Sequence, residues 1–247
     1  MISHKHQCIF VHIPKTAGMS IERMFLEALG LNFYLGQCAP LLLTYNKNKS
    51  IGPPSLAHLT AQEYTKYHYI NEDMFYNYYK FSIVRNPYDR LISIYKHFKY
   101  DRLISFSTFI EVEFPKLKEE RFYFVAPQTN YIINSDKEIM VDKIYKFENL
   151  KKMTKDLSQN LSYSISDLTH INKSSQDYNI FSRWNIKFVY KTLKAKKHLI
   201  KYIDISKKKK ENLMDFYDSK SLDFVNKFYE DDFNTFDYKI ITSVKSL

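Results

Sequence analysis

Apolar residues run unbroken from Cys8 to Val11, skip His12, resume at Ile13 and stop at Pro14. A short apolar run closed by a proline predicts a buried strand. Positions 15–20 are small or polar, and then Ile21, Met24, Phe25 and Ala28 recur at spacings of three and four. That period predicts a helix ending near Leu29 and Gly30. The same order returns further on. Phe81, Ile83 and Val84 predict a second strand, Asn86 suits a helix cap and Pro87 a first helical residue, and Leu91, Ile94, Tyr95 and Phe98 give the helix its apolar face. Positions 139–147 predict a third strand, and 149–160 a basic helix. Thr60 is placed to cap a short helix through Tyr67, and Ser107 one through Glu113. Positions 31–57 show no period, and KNKSIGPP at 47–54 is the clearest loop. Strand, turn and helix in repeated succession predict an α/β fold of three layers, a mainly parallel central sheet with helices on both faces.

The turns carry the candidate chemistry. Lys15, Thr16, Ala17, Gly18, Met19 and Ser20 lie where the first helix offers unpaired N–H groups and the positive end of its dipole. Such a turn suits a phosphate, and Lys15 adds a full charge. The logic is P-loop-like, but GxxxxGK[ST] is absent, because here lysine precedes glycine. Arg85 closes the second strand and Ser93 stands two turns into the following helix. Both are placed to touch a second phosphate, since ligands of open α/β sheets bind at the C-terminal ends of strands. By itself RNPYDR reads equally well as a salt-bridged helix start.

The 247-residue chain has room for one α/β domain. A net charge of +10 suits an anionic nucleotide and an anionic acceptor. Nucleic acid is the usual rival for such a charge, but no RNP, zinc-finger or helix-turn-helix pattern is present, so no nucleic-acid partner is expected. Cys8 and Cys38 are the only cysteines, which excludes a disulfide framework, and no metal-ligand spacing occurs. No signal peptide and no apolar run of about 18 residues stand out, so a cytoplasmic protein is the expectation. Phe181, Trp184, Phe188, Thr192, Ala195 and Leu199 fall at helical spacing among many lysines. They predict a basic amphipathic helix within 176–206. Gln128, Asn130 and Tyr131 form a polar cluster that could face a sugar or simply line a surface turn.

PKTAGMS after the first strand, and IVRNPYDRLISIY after a later one, resemble the two phosphate loops of sulfotransferases that use 3′-phosphoadenosine-5′-phosphosulfate (PAPS). The likeness is to the carbohydrate branch typified by heparan sulfate 2-O-sulfotransferase and its bacterial relatives. AHL at 57–59, DKIYKFENL at 142–150, HINKS at 170–174 and YEDDFNTFDY at 229–238 resemble further family segments, in the family's order. The resemblance implies a single sulfotransferase domain over 1–247. It implies that Lys15 through Ser20 hold the 5′-phosphosulfate, with Lys15 also stabilising the leaving group, and that Arg85 and Ser93 hold the 3′-phosphate. Lys173 and Ser174 would close over the nucleotide. His58 is the candidate base, with Glu22 and His12 as alternatives. PAPS would be the co-substrate, leaving as 3′,5′-ADP (PAP), with no metal. A saccharide or glycan would be the acceptor, with anionic, lipid-linked and peripheral-membrane forms open. The stretch 176–206 is longer than in these relatives and reads as an insert, either packed on the domain, forming an oligomer contact, or serving as an arm for a polyanionic acceptor. Two rival readings stand beside this one, a kinase-like nucleotide-dependent phosphotransferase and a non-catalytic nucleotide- or polyanion-binding protein.

Overall fold

The uninterrupted apolar run at the start of the chain forms strand β2 (Cys8–Val11), buried along its whole length, as a strand covered on both faces must be. It belongs to a four-stranded sheet in a computed structural model that describes residues 1–161, 183–204 and 212–243, without the side chains of 183–188. The strand order is β1 (Ile2–Ser3), β2, β3 (Tyr79–Val84), β4 (Lys143–Lys146). β1 is antiparallel to β2, whereas β2, β3 and β4 are mutually parallel, with Phe10 opposite Phe81 and Ile83 opposite Tyr145. The C-terminal ends of the three parallel strands therefore share one edge. The chain leaves that edge at His12, Arg85 and Phe147.

Two compact units make up the chain. The first comprises Met1–Asn86 with Ala126–Asn172, and holds the sheet. Helix α1 (Gly18–Ala28) buries Ile21, Met24 and Phe25 in one cluster with Phe10 and Phe81 of the sheet. A helix at Leu150–Asn160 adds Met153 and Leu157 to that cluster. Cys8 lies inside it, and burial pushes its thiol up to about 12, which makes it inert near neutral pH. β4 is shorter than the 139–147 span expected. Asp142 closes a loop onto Lys80, its carboxylate accepting the Lys80 N–H (2.7 Å) and pairing with the ammonium (3.1 Å). The ladder starts only after that, and Ile139 is left in an isolated antiparallel bridge to Ile133.

The second unit comprises Pro87–Val125 with Lys173–Leu247. Helix α2 (Pro87–His97) starts at the expected proline. The next cap is Ser105, not Ser107: Ser105 accepts the Thr108 N–H, and the earlier start lets Phe106 and Phe109 both reach the core. A π-helical turn follows at Phe109–Glu113, then a helix at Phe114–Glu120.

The basic segment forms helix α3 (Arg183–Ala195), but its buried stripe is not the one expected. Val189 and Leu193 pack on the core, while Ala195 is exposed. The helix stops there, and a 3-10 turn at Lys197–Tyr202 brings Leu199 inside. Lys196 explains the break. It leaves helical geometry (φ −128°, ψ 61°) and its ammonium meets the carboxylate of Glu113, which is fully buried. Tyr100 donates to Glu113 at 2.6 Å, His198 lies 2.6 Å away and Lys116 3.2 Å. Burial alone would raise the Glu113 pKa, but hydrogen bonds from Lys196, Tyr100 and His198 outweigh it and hold the carboxyl at about 2.

Candidate active site

The turn after β2 is built from two left-handed residues. Lys15 has φ 72° and Ala17 φ 75°, with Thr16 between them. Reversal of handedness at alternate positions folds successive backbone N–H groups toward one concave side, which is an anion-binding nest. The N-terminus of α1 adds its own unpaired N–H groups and dipole. Thr16 is fully buried and its hydroxyl donates to the Ile13 carbonyl at 2.8 Å, so this side chain braces the turn and the residue offers an incoming group its backbone only. Met19 is exposed, and Ala17 and Ser20 are half-buried beside it. Gly18 touches the ring of His12: a Cβ there would stand 1.9 Å from Cδ2 and Nε2 of that imidazole.

Two cations meet over the turn. Arg85 donates from Nη1 to the Lys15 carbonyl at 3.4 Å, and its guanidinium lies 4.2 Å over the ring of Phe147. Lys15 is half-buried, and burial first, then the charge of Arg85, lowers its pKa below the usual lysine value. A lysine whose charged form is disfavoured by burial and by a second cation marks a place suited to an anion. The main chain of Arg85 is held from the side. Its N–H donates to Gln128 Oε1 and its carbonyl accepts from Gln128 Nε2, both at 2.8 Å. The next N–H, of Asn86, donates to Glu148 Oε1 at 3.0 Å.

His58 sits in a one-turn 3-10 helix (Leu56–His58) and is part-buried. Its Nδ1 lies 3.1 Å from the carbonyl oxygen of His12. A carbonyl only accepts, so Nδ1 carries the proton, and the lone pair of the neutral ring is on Nε2, the tautomer a general base requires. The His12 ring lies edge-on to it at 4.4 Å between centroids, stacks on Phe10, and has its Nδ1 2.5 Å from Oε1 of Glu22. His12 and Glu22, the alternative bases, are thus buried and engaged with each other.

Of the residues expected at the site, Lys15 through Ser20, His58 and Arg85 all belong to the first unit. Ser93 stands half-buried on α2 in the second. Lys173 and Ser174 lie outside the described residues. Gln128 is not the sugar-facing group its polar neighbours suggested, because it is fully buried with both ends of its amide on Arg85. Its role escaped sequence reasoning because forty-three positions separate it from Arg85 and nothing local links them. Among the described residues no group of three or more His, Cys, Asp or Glu is placed to hold a metal ion.

A family model for sulfotransferases matches residues 1–239. The chain belongs to the sulfotransferase family. The match takes in the nest, Arg85, His58 and α2 alike, so the sulfotransferase assignment covers both units. No curated protein and no solved structure matches this sulfotransferase. Among its described residues, no helix is long and apolar enough to cross a membrane.

Proposed function

We propose that this sulfotransferase takes PAPS as its donor and transfers the sulfuryl group to a hydroxyl of a saccharide acceptor, without a metal, in the cytoplasm. The observation that carries the reading is the pairing of an alternating left-handed turn with two mutually repelling cations, Lys15 and Arg85. The family's chemistry calls for a site that takes a phosphosulfate and a second phosphate, and these residues fit it. The turn amides of 15–20 and the Lys15 ammonium would hold the 5′ end, Arg85 and Ser93 the 3′-phosphate, and Lys173 and Ser174 would cover the nucleotide. The heparan sulfate 2-O branch, the three-layer arrangement and a single domain over 1–247 belong to the same proposal.

When bound, the donor supplies an activated sulfuryl group and a phosphate as leaving group. The protein contributes position and charge. His58 accepts the acceptor's hydroxyl proton on Nε2 as the new O–S bond forms. Lys15 meets the negative charge that collects on the departing phosphate oxygen as the old S–O bond breaks. His12 holds the imidazole of His58 through its carbonyl and ring, and Glu22 holds His12.

A saccharide acceptor is supported by the segment leading to His58. Positions 28–62 contain no Asp or Glu. Within them Tyr45 is 93% exposed and Lys47 and Lys49 are exposed as well. Tyr45 is bridged to Ser55, three residues before His58, and the Asn46 amide donates to the carbonyls of Asn48, Gly52 and Pro53, which fixes the loop. An aromatic face with flanking cations suits a sugar that carries acidic groups. Lys191, Lys194, Lys197 and Lys201 are exposed on the basic segment and would serve a polymeric or lipid-linked acceptor at a membrane surface.

The test is release of 3′,5′-ADP from PAPS in the presence of a saccharide panel. Lys15→Ala should lower turnover by more than about 100-fold, and His58→Ala should abolish transfer while sparing affinity for 3′,5′-ADP. A wild-type protein that bound ATP–Mg²⁺ in preference to 3′,5′-ADP would overturn the reading.

A further inference from the structure

We infer that Gln128 is a positioning residue that sets selectivity for a 3′-phosphorylated nucleotide by fixing the main chain of Arg85; this rests on the nucleotide reading above. Val84 opposite Lys146 is the last pair of the β3–β4 ladder, so Arg85 is the first residue past it. An arginine in that place needs partners for its N–H and its carbonyl, and freedom there would let the guanidinium wander. Gln128 supplies both partners. One side-chain amide exchanges two hydrogen bonds of 2.8 Å with a single residue's main chain, the same exchange two residues make in a hydrogen-bonded strand pair. Only one orientation of the amide satisfies both bonds, so oxygen and nitrogen are assigned by the geometry.

The arrangement around it is built for the same end. Gln128 is fully buried, so no solvent competes for these bonds. It lies just before the short helix Thr129–Ile132, whose Tyr131 carbonyl accepts the Ala61 N–H at 2.7 Å, tying the segment to the stretch that carries His58. Glu148 takes the Asn86 N–H, and Phe147 lies under the guanidinium. The main chain of Arg85 and Asn86 is thus set by two side chains from other segments. Gln128 holds the Arg85 backbone, and would act on the ligand through the direction that backbone gives the guanidinium.

The experiment measures affinities for 3′,5′-ADP and 5′-AMP by titration calorimetry in wild type, Arg85→Ala, Gln128→Met and the double variant. Methionine keeps the volume and removes both bonds. The wild type should prefer 3′,5′-ADP by about 100-fold. Gln128→Met should cut that ratio by about tenfold or more and change 5′-AMP affinity little. On the Arg85→Ala background the same substitution should leave the ratio where it stands, because the residue it acts through is gone. If Gln128→Met does not fold, Gln128→Asn, which keeps the amide one methylene short, is read the same way. Equal weakening of both nucleotides would reduce Gln128 to a structural residue and overturn the inference. So would an unchanged ratio in Gln128→Met alongside a reduced one in Arg85→Ala, and that result would leave the nucleotide reading standing. A wild type that does not discriminate the two nucleotides would overturn both.

Discussion

Gly18 has no room for a side chain. The ring it touches cannot step aside, because His12 is held by Glu22 on one side and stacked on Phe10 on the other. Gly18→Ala should therefore destabilise the protein by about 2 kcal/mol or more, as overpacking does in a close-packed interior. Urea unfolding checks this, with Met19→Ala, at an exposed neighbour, expected to change stability by less than about 0.5 kcal/mol. The requirement for glycine was visible in the sequence only as a phosphate-loop letter. Its physical reason, an imidazole six residues upstream, needed the fold. The two arginines of RNPYDR part company in the same way. Arg85 faces the turn, whereas Arg90 is buried in the second unit, donating to the Phe124 carbonyl beside the ring of Tyr229.

At the scale of elements, the strand–turn–helix units were legible because their apolar period is strong and their boundaries carry Pro14, Gly30 and Pro87. What was not legible was decided by partners far away in the chain. The Ser105 start answers to two buried phenylalanines, and the end of α3 answers to Glu113. A regular helical wheel put Thr192 and Ala195 inside, and the buried carboxylate breaks that wheel by pulling Lys196 out of register. Lys196 is consequently no free arm for an acceptor. Lys196→Ala should destabilise the protein by about 2 kcal/mol, less than the 3–5 kcal/mol typical when a buried charge loses every partner, because Lys116 and His198 remain. Lys191→Ala and Lys194→Ala should be near neutral. The pH dependence has a definite sign. A carboxyl held below its ordinary value in the folded state contributes stability that is complete above about pH 4.5 and is lost as pH falls toward about 2. Acid titration by near-UV circular dichroism should show Glu113→Gln flatter than wild type across that window.

For the whole molecule, the charge of +10 and the acid-free stretch 28–62 fit a protein whose ligands are anionic, and family membership supplies the chemistry. The sheet has one consequence of a different kind. Its parallel pairs join residue 8 to 79 and residue 81 to 143, so each closes a long loop before any contact rewards it. The cradle at the strand ends cannot exist until both closures are made. Order of assembly then dictates where a nucleotide acts on the kinetics. Saturating 3′,5′-ADP should slow unfolding in stopped-flow experiments and leave the refolding rate alone, the outcome expected where the cradle is completed only after the transition state for refolding. Faster refolding with ligand would mean that the turn at 15–17 takes shape before β3 pairs with β4, and that the newly made chain can hold its nucleotide while still finding its fold.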